Sequence, residues 1–335
     1  MESLPYGPII DTLKCLDFNQ LFSLRQTNKY FKTLIGRYEH LLAKKEFHRI
    51  YILVVSEERK GYKNIDLESG VFNFTLNKNV EEKWHSAIDK KIPVYLNTGN
   101  FPLDSKEICI VLDFEEDNEL ILKLPIYPIN IEELKIVYCW LFHLSCCGYK
   151  TAFFTEFIFN PEFLQLLFDK EENIQFKFHT KSAYLNYYNL NSKNVLKFIM
   201  KHLIVAVHLV SCFNNIDNTE EYSNILLTLV LNGGEIIGTI IILFVKDQIL
   251  YNLIVKNLEK SKDCSKMVAR ILIEFKDCPF FNLSIRAEDV KKKQDGDRNY
   301  VIYELSNIYN PTVKYSIVNI EENGKMLNTE IKRIS

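Results

Sequence analysis

Glycine and proline are scarce in this chain. Eleven glycines and nine prolines in 335 residues are about half the usual combined share of roughly 12%. That excludes long Gly-Ser linkers and low-complexity disorder. Charge of one sign is missing as well. The 41 lysines and arginines are balanced by 43 acidic residues, for a formal net charge of −2. With no basic footprint, nucleic acid is not an expected partner, and a near-neutral mixed surface points to protein partners. The first residues lack a positively charged start followed by an apolar core, so no signal peptide is expected. Eight cysteines occur without any C-x-x-C spacing, and Cys146 and Cys147 are adjacent. Without a secretory signal they are expected to be reduced, small buried hydrophobes in a cytoplasmic or nuclear protein.

Catalytic motifs are also missing. There is no phosphate-binding loop, no G-x-G-x-x-G, no G-x-S-x-G and no H-E-x-x-H. His143 with Cys146 and Cys147 is the nearest approach to a metal cluster. It lies in an apolar helical pattern, and a zinc site normally needs four ligands, so no metal and no cofactor are expected. Gly233-Gly234 has no helix pattern after it and reads as a turn rather than a phosphate cradle. The acidic run Glu115-Glu116-Asp117 reads as a solvated hairpin tip, and Lys291-Lys292-Lys293 as a solvated loop. The most apolar stretch, Ile225 to Val245, is interrupted at Asn232-Gly233-Gly234-Glu235, which reads as helix stop, turn and strand start. No membrane span is expected.

What the chain does have is a large apolar share, 47%, with 13% aromatic residues, and an unusual beginning. Leu4-Pro5 is followed by Ile9, Ile10, Leu13 and Leu16, then Leu21 and Leu24-Arg25, then Phe31 and Leu34-Ile35. Ile9, Leu13 and Leu16 fall on one helical face, with Pro8 at a first helical position. Asp17 and Gln20 form a variant capping box for a second helix carrying Phe18, Leu21 and Phe22. Thr27 or Asn28 caps a third, with Tyr30, Phe31, Leu34 and Ile35. Helices of about two turns are too short to hold alone in water, so such a unit usually needs a partner surface.

The Leu-Pro opening, the Leu-Arg pair and the aromatic before Leu-Ile resemble the F-box at its spacing. The family often has an acidic residue two positions after Leu-Pro, where Gly7 stands here, and a tryptophan in the third helix, where Phe31 stands. With the α/β pattern that follows, the chain resembles the nematode-type F-box families. That resemblance implies a substrate-recognition subunit of a Skp–cullin–F-box ubiquitin ligase, and not an enzyme. A Skp-family adaptor, and through it a cullin-RING ligase, would bind Leu4, Pro5, Ile9, Ile10, Leu13, Leu16, Leu21, Leu24, Arg25, Phe31, Leu34 and Ile35. Which of these face the adaptor and which the box's own core stays open at this stage. The alternative is an interaction or scaffold protein whose degenerate box no longer binds the adaptor. A third reading is an unrecognised enzyme within residues 50–280.

The expected architecture is α+β, with a three-helix box over 1–47 and a recognition domain for an unknown protein target over 48–335. A helix is expected over Tyr38 to Phe47, then strands at Ile50 to Val55, Ile92 to Leu96, Ile108 to Phe114 and Leu120 to Leu124, with a helix at Val80 to Lys90. From 130 to 275 strands recur every 25–35 residues, alternating with helices capped at Asn130, Asn160, Asn218 and Asp247. This predicts an irregular β/α repeat, solenoid-like or layered, its strands parallel and covered on both faces. Over 281–334, alternating segments at Phe281 to Ala287, Tyr300 to Leu305, Thr312 to Ile320 and Leu327 to Ile334 predict antiparallel strands. The target surface is expected on loops such as Asn214 to Asn218 and Asp263 to Lys266, with the edge of the terminal strands as the competitor.

Overall fold

A computed structural model describes residues 6–38, 41–54, 62–68, 75–98, 108–114, 118–168, 176–186, 192–212, 219–279 and 283–334. Among these residues the chain is mixed α/β, with nine helices and one large mixed sheet. The chain opens with α1 (Tyr6–Lys14), α2 (Phe18–Thr27) and α3 (Lys29–Tyr38). Local capping chemistry sets the starts of α2 and α3. Asp17 Oδ1 accepts from the Gln20 amide at 2.8 Å, and Gln20 Oε1 accepts from the Asp17 amide at 3.0 Å. Asn28 Oδ1 accepts from the Phe31 amide at 2.9 Å. Pro8 is the third residue of α1 rather than the first, a first-turn place where its missing N–H deprives no acceptor.

Next come β1 (Lys45–Val54), β2 (Tyr62–Asn64), α4 (Lys78–Asp89), β3 (Tyr95–Asn97), β4 (Ile108–Phe114) and β5 (Asn118–Leu122). They are followed by α5 (Ile131–Ser145), β6 (Cys147–Phe154), β7 (Phe157–Phe159), α6 (Pro161–Phe168) and β8 (Phe178–Asn186). Then α7 (Ser192–His202), β9 (Leu203–Cys212), α8 (Thr219–Asn232), β10 (Ile237–Val245), α9 (Ile249–Lys260) and β11 (Arg270–Pro279) alternate strictly. The tail is β12 (Glu288–Asp295), β13 (Arg298–Ser306), β14 (Lys314–Glu322) and β15 (Lys325–Arg333).

The expected helix over Tyr38 to Phe47 is corrected. Lys45 to Tyr51 pair in parallel with Cys147 to Phe153, so ladder bonds to a distant segment override the helical pattern. Asn130 and Asn160 do cap α5 and α6, accepting from the amides of Glu133 and Glu162 at 2.8 and 3.0 Å. Asn218 and the acidic run 115–117 lie outside the described residues. Asp247 sits one residue before the N-cap position and accepts from the Ile249 amide at 2.9 Å. The apolar stretch Ile225 to Val245 divides into the end of α8, a turn and β10. Among the described residues no helix is long and apolar enough to cross a membrane.

Among the described residues the sheet has thirteen strands in the order β12-β13-β14-β15-β11-β10-β9-β8-β6-β1-β4-β5-β2. From β1 through β6, β8, β9 and β10 to β11 neighbours run parallel, each strand laid beside the one before. At one end β4 and β5 are antiparallel and β2 lies parallel beside β5 at the edge, while β15–β14–β13–β12 extend the other end antiparallel. The tail strands thus continue the main sheet. Two expectations from sequence fail there. Residues 283–287 form a turn instead of a strand, and Lys291 to Lys293, expected in a loop, lie within β12. All eight side chains of β12 are exposed, so no inward apolar alternation marks it as a strand.

The helices α4 to α9 bury their apolar sides against one face of the sheet. Inward residues such as Ile50, Ala152, Ala183, Leu209, Ile240 and Ile273 join Trp84, Leu141, Phe198, Leu229 and Ile254 in one core. Phe159, Phe178 and Phe198 pack there with ring centroids 5.0 to 6.5 Å apart, within the range that favours aromatic pairs. On the face away from these helices the burial is uneven, complete at Cys109, Val111 and Ile121 and partial at Tyr51 and Leu53. The strands alternate buried and half-buried positions, as in the pattern of β8 and β10, because successive side chains point to opposite faces. A buried polar chain ties α9 to the tail. Tyr251 Oη lies 2.6 Å from Tyr303 Oη, Asn319 Nδ2 donates to Tyr251 Oη at 3.4 Å, and Thr329 Oγ1 donates to Asn319 Oδ1 at 2.8 Å.

Candidate functional site

The N-terminal helices have their own small core, separate from the main one. Ile10, Leu13, Leu21, Leu34 and Ile35 are buried together with Leu42. Ile9, Leu16, Leu24 and Phe31 are only half-buried and pack at its rim beside Tyr30 and Tyr38. The geometry thereby divides the set that the sequence left undivided. Five of its residues hold the unit together, and four present apolar surface outward. Arg25 is half-buried on α2. Leu4 and Pro5 lie outside the described residues. Leu42 was not among the expected box residues, because it was assigned to the helix that is not formed. Tyr30 meets Phe31 edge-on, with ring centroids 5.4 Å apart.

The second feature is the sheet face turned away from the helices. Tyr51, Phe153, Tyr184, Val210, Ile241 and Leu272 are paired in register across β1, β6, β8, β9, β10 and β11. They make one transverse apolar row, mostly half-buried. Its first three rings stack nearly parallel, with centroids 4.7 and 5.0 Å apart. At the β4–β5 end the row runs into Cys109, Val111 and Ile121, which are buried on this face with Tyr51 and Leu53. The neighbouring row toward the strand starts is polar, holding Arg49, Thr151, Ser182, His208, Thr239 and Arg270 in register, with Lys332 beyond. Arg49 lies 3.8 Å from Asp113, and Arg270 2.7 Å from Glu330.

The expected target loops are less informative. Asn214 to Asn218 lie outside the described residues. In the turn at Asp263 to Lys266 the Ser265 side chain and its amide, the latter 2.8 Å from the Asp263 carboxylate, hold that carboxylate below the usual range. The competing edge, β12, carries Lys291 to Lys293 and borders a groove of about 750 Å³ lined by Leu283, Lys293, Tyr300 and Glu321 among others. Lysines on an edge strand are a common guard against strand addition.

Among the described residues no group of three or more His, Cys, Asp or Glu side chains is placed to hold a metal. Cys147 Sγ donates to the His143 carbonyl at 3.3 Å, within its own turn. His202 is buried with Nδ1 3.1 Å from the Phe176 carbonyl, and burial lowers its pKa. Burial likewise raises Cys212, with Glu274 adding to the shift.

A family described as Domain of unknown function (DUF8381) matches residues 65–214, a span from the end of the β2 segment to just past β9. No curated protein and no solved structure matches the chain. The matched span leaves out both the N-terminal helices and the half of the sheet from β10 onward.

Proposed function

We propose that the chain is a substrate receptor of a Skp–cullin–F-box ubiquitin ligase, non-catalytic itself. The N-terminal helices would bind a Skp-family adaptor, and the sheet domain would bind a protein target. One observation carries this reading. Three short helices, two of them capped by Asp17 and Asn28, form a core of their own yet leave Ile9, Leu16, Leu24 and Phe31 half-exposed, as expected of a small unit completed by a partner. The alternation from β6 to β11 is read as a β/α repeat, whose regular strands provide a rigid platform for the target.

The test is capture of a purified Skp-family adaptor by the full chain. The adaptor is expected to bind the wild-type protein. Charged residues at Leu4 and Pro5 should weaken capture strongly, since truncated interface anchors often cost about 2 kcal/mol or more. Undiminished capture by that double variant would remove these two residues from the proposed interface, and no capture by the wild type would overturn the proposal.

A further inference from the structure

We infer that the outer edge of β12 is the target-binding surface, and that its occupant is an extended acidic segment of the target, added to the sheet as a further strand beside Lys291 to Asp295. The inference rests on the proposed receptor function for its biological meaning, but the binding itself requires no adaptor.

The first argument is the backbone. β12 ends the row of strands and is paired on one side alone, with β13. All its side chains are exposed. Its outward amides and carbonyls are satisfied by water or by an added strand. An extended segment brings a matching ladder, whereas a helix has its own groups already paired. A bulge lies between Glu288 and Lys291, so the regular ladder runs from Lys291 to Asp295 and suits a short segment. The opposite end of the sheet, β2, is only three residues long.

Shape is the second. The groove of about 750 Å³ is bordered by Lys292, Lys293 and Gln294 on β12 and by Tyr300 and Val301 on β13. A strand added at the usual spacing of about 4.8 Å runs along this border, and its side chains alternate between the two faces of the sheet. Every second side chain therefore has a recess to enter instead of a flat surface.

Charge fixes the occupant further. Lys291, Lys292 and Lys293 stand together at the start of this ladder, and among the described residues none of them is ion-paired. Behind them β13 presents the uncharged Ile302, Val301 and Tyr300. Asp295 is the one acid on the ladder and lies opposite Arg298, which pairs with Glu322 at 3.0 Å. The other acids stand apart. Asp297 is in the turn, and Glu321 is on β14, two strands in, at roughly 10 Å by strand spacing. Glu288 and Asp289 precede the bulge. Glu288 accepts from Ser306 at 3.0 Å, and its neighbour Glu304 pairs with Lys314 at 3.7 Å. With a screening length of about 8 Å in physiological salt, the three lysines set the sign at the first half of the ladder. Glutamates directly opposite them are favourable, and lysines there are repelled. The lysines thus guard the edge against neutral and basic strands and admit an acidic one.

The probe is a peptide of about eight residues, valine and threonine with three central glutamates, passed over the immobilised full chain at up to about 1 mM. One control carries lysine for glutamate. A second keeps the glutamates but has N-methyl groups on its central amides, which blocks a ladder and leaves the charge. Surface plasmon resonance should show the glutamate peptide binding at least tenfold tighter than either control. Replacing Lys291, Lys292 and Lys293 together by glutamate should reverse the preference toward the lysine peptide. Because that change could loosen β12, the milder pair Lys292→Gln with Lys293→Gln provides a second test, and should reduce the preference with an unchanged thermal midpoint. No binding of the glutamate peptide, equal binding of the N-methylated one, or an unchanged preference in both variants would overturn the inference. So would self-association of the chain that is abolished by the triple change, because a second copy would then be the occupant. Adaptor capture measured on the same preparations reports the N-terminal helices alone, so failure of either claim is seen separately.

Discussion

At the scale of single residues, two buried groups make measurable claims. Tyr95 is fully buried on β3, and its hydroxyl has no hydrogen-bond partner among the described residues. Burial raises its pKa far above the usual phenol value. An unpaired buried hydroxyl costs free energy, by about 1 to 3 kcal/mol on mutational scales. Tyr95→Phe should therefore leave the thermal midpoint unchanged or raise it, and calorimetry showing a clear loss would mean that the hydroxyl is paired. His179 makes a claim about pH. Burial, with Lys44 and Lys177 adding to it, lowers its pKa to about 4, against about 6.5 in an unfolded chain. Between those values the unfolded chain binds a proton that the folded chain does not, so stability rises with pH there and is lost as pH falls. His202, also lowered by burial, acts in the same direction. Urea midpoints should be lower at pH 5 than at pH 7, with a smaller difference in His179→Gln.

At the scale of elements, what could be read from sequence depended on how local the cause was. The capping pairs Asp17 with Gln20 and Asn130 with Glu133 are chemistry between residues three apart, and both appear as expected. The strand Lys45–Val54 was half missed because its first residues owe their conformation to Cys147 to Thr151 across the sheet. β12 was missed because a fully exposed edge strand has no buried face to impose alternation. The transverse row was invisible for another reason. Segments such as Ile237–Val245 are apolar on both sides, so the sequence cannot say which side meets helices. For the N-terminal helices, the sequence supplied the residues but not their division into core and rim. That division predicts the effect of Leu13→Asp. Leu13 belongs to the small core alone, so this change should raise hydrogen exchange across α1 to α3 and leave β6 to β11 protected. Loss of protection throughout would show that the two cores fold as one.

At the scale of the whole molecule, the account assigns one surface to each side of a bridge. Short helices with an incompletely buried apolar rim stand at one place in the chain, and a broad sheet with one helix-covered face makes up the rest. Buried side chains such as the Tyr251, Tyr303, Asn319 and Thr329 chain tie the tail strands to α9. The measurement closest to the central claim is hydrogen exchange on the full chain with and without a purified Skp-family adaptor. The account predicts added protection in α1, α2 and α3, lost when Leu16 and Phe31 are replaced by aspartate, with β6 to β11 unchanged. Adaptor-induced protection confined to the sheet, or none anywhere at saturating adaptor, would contradict it.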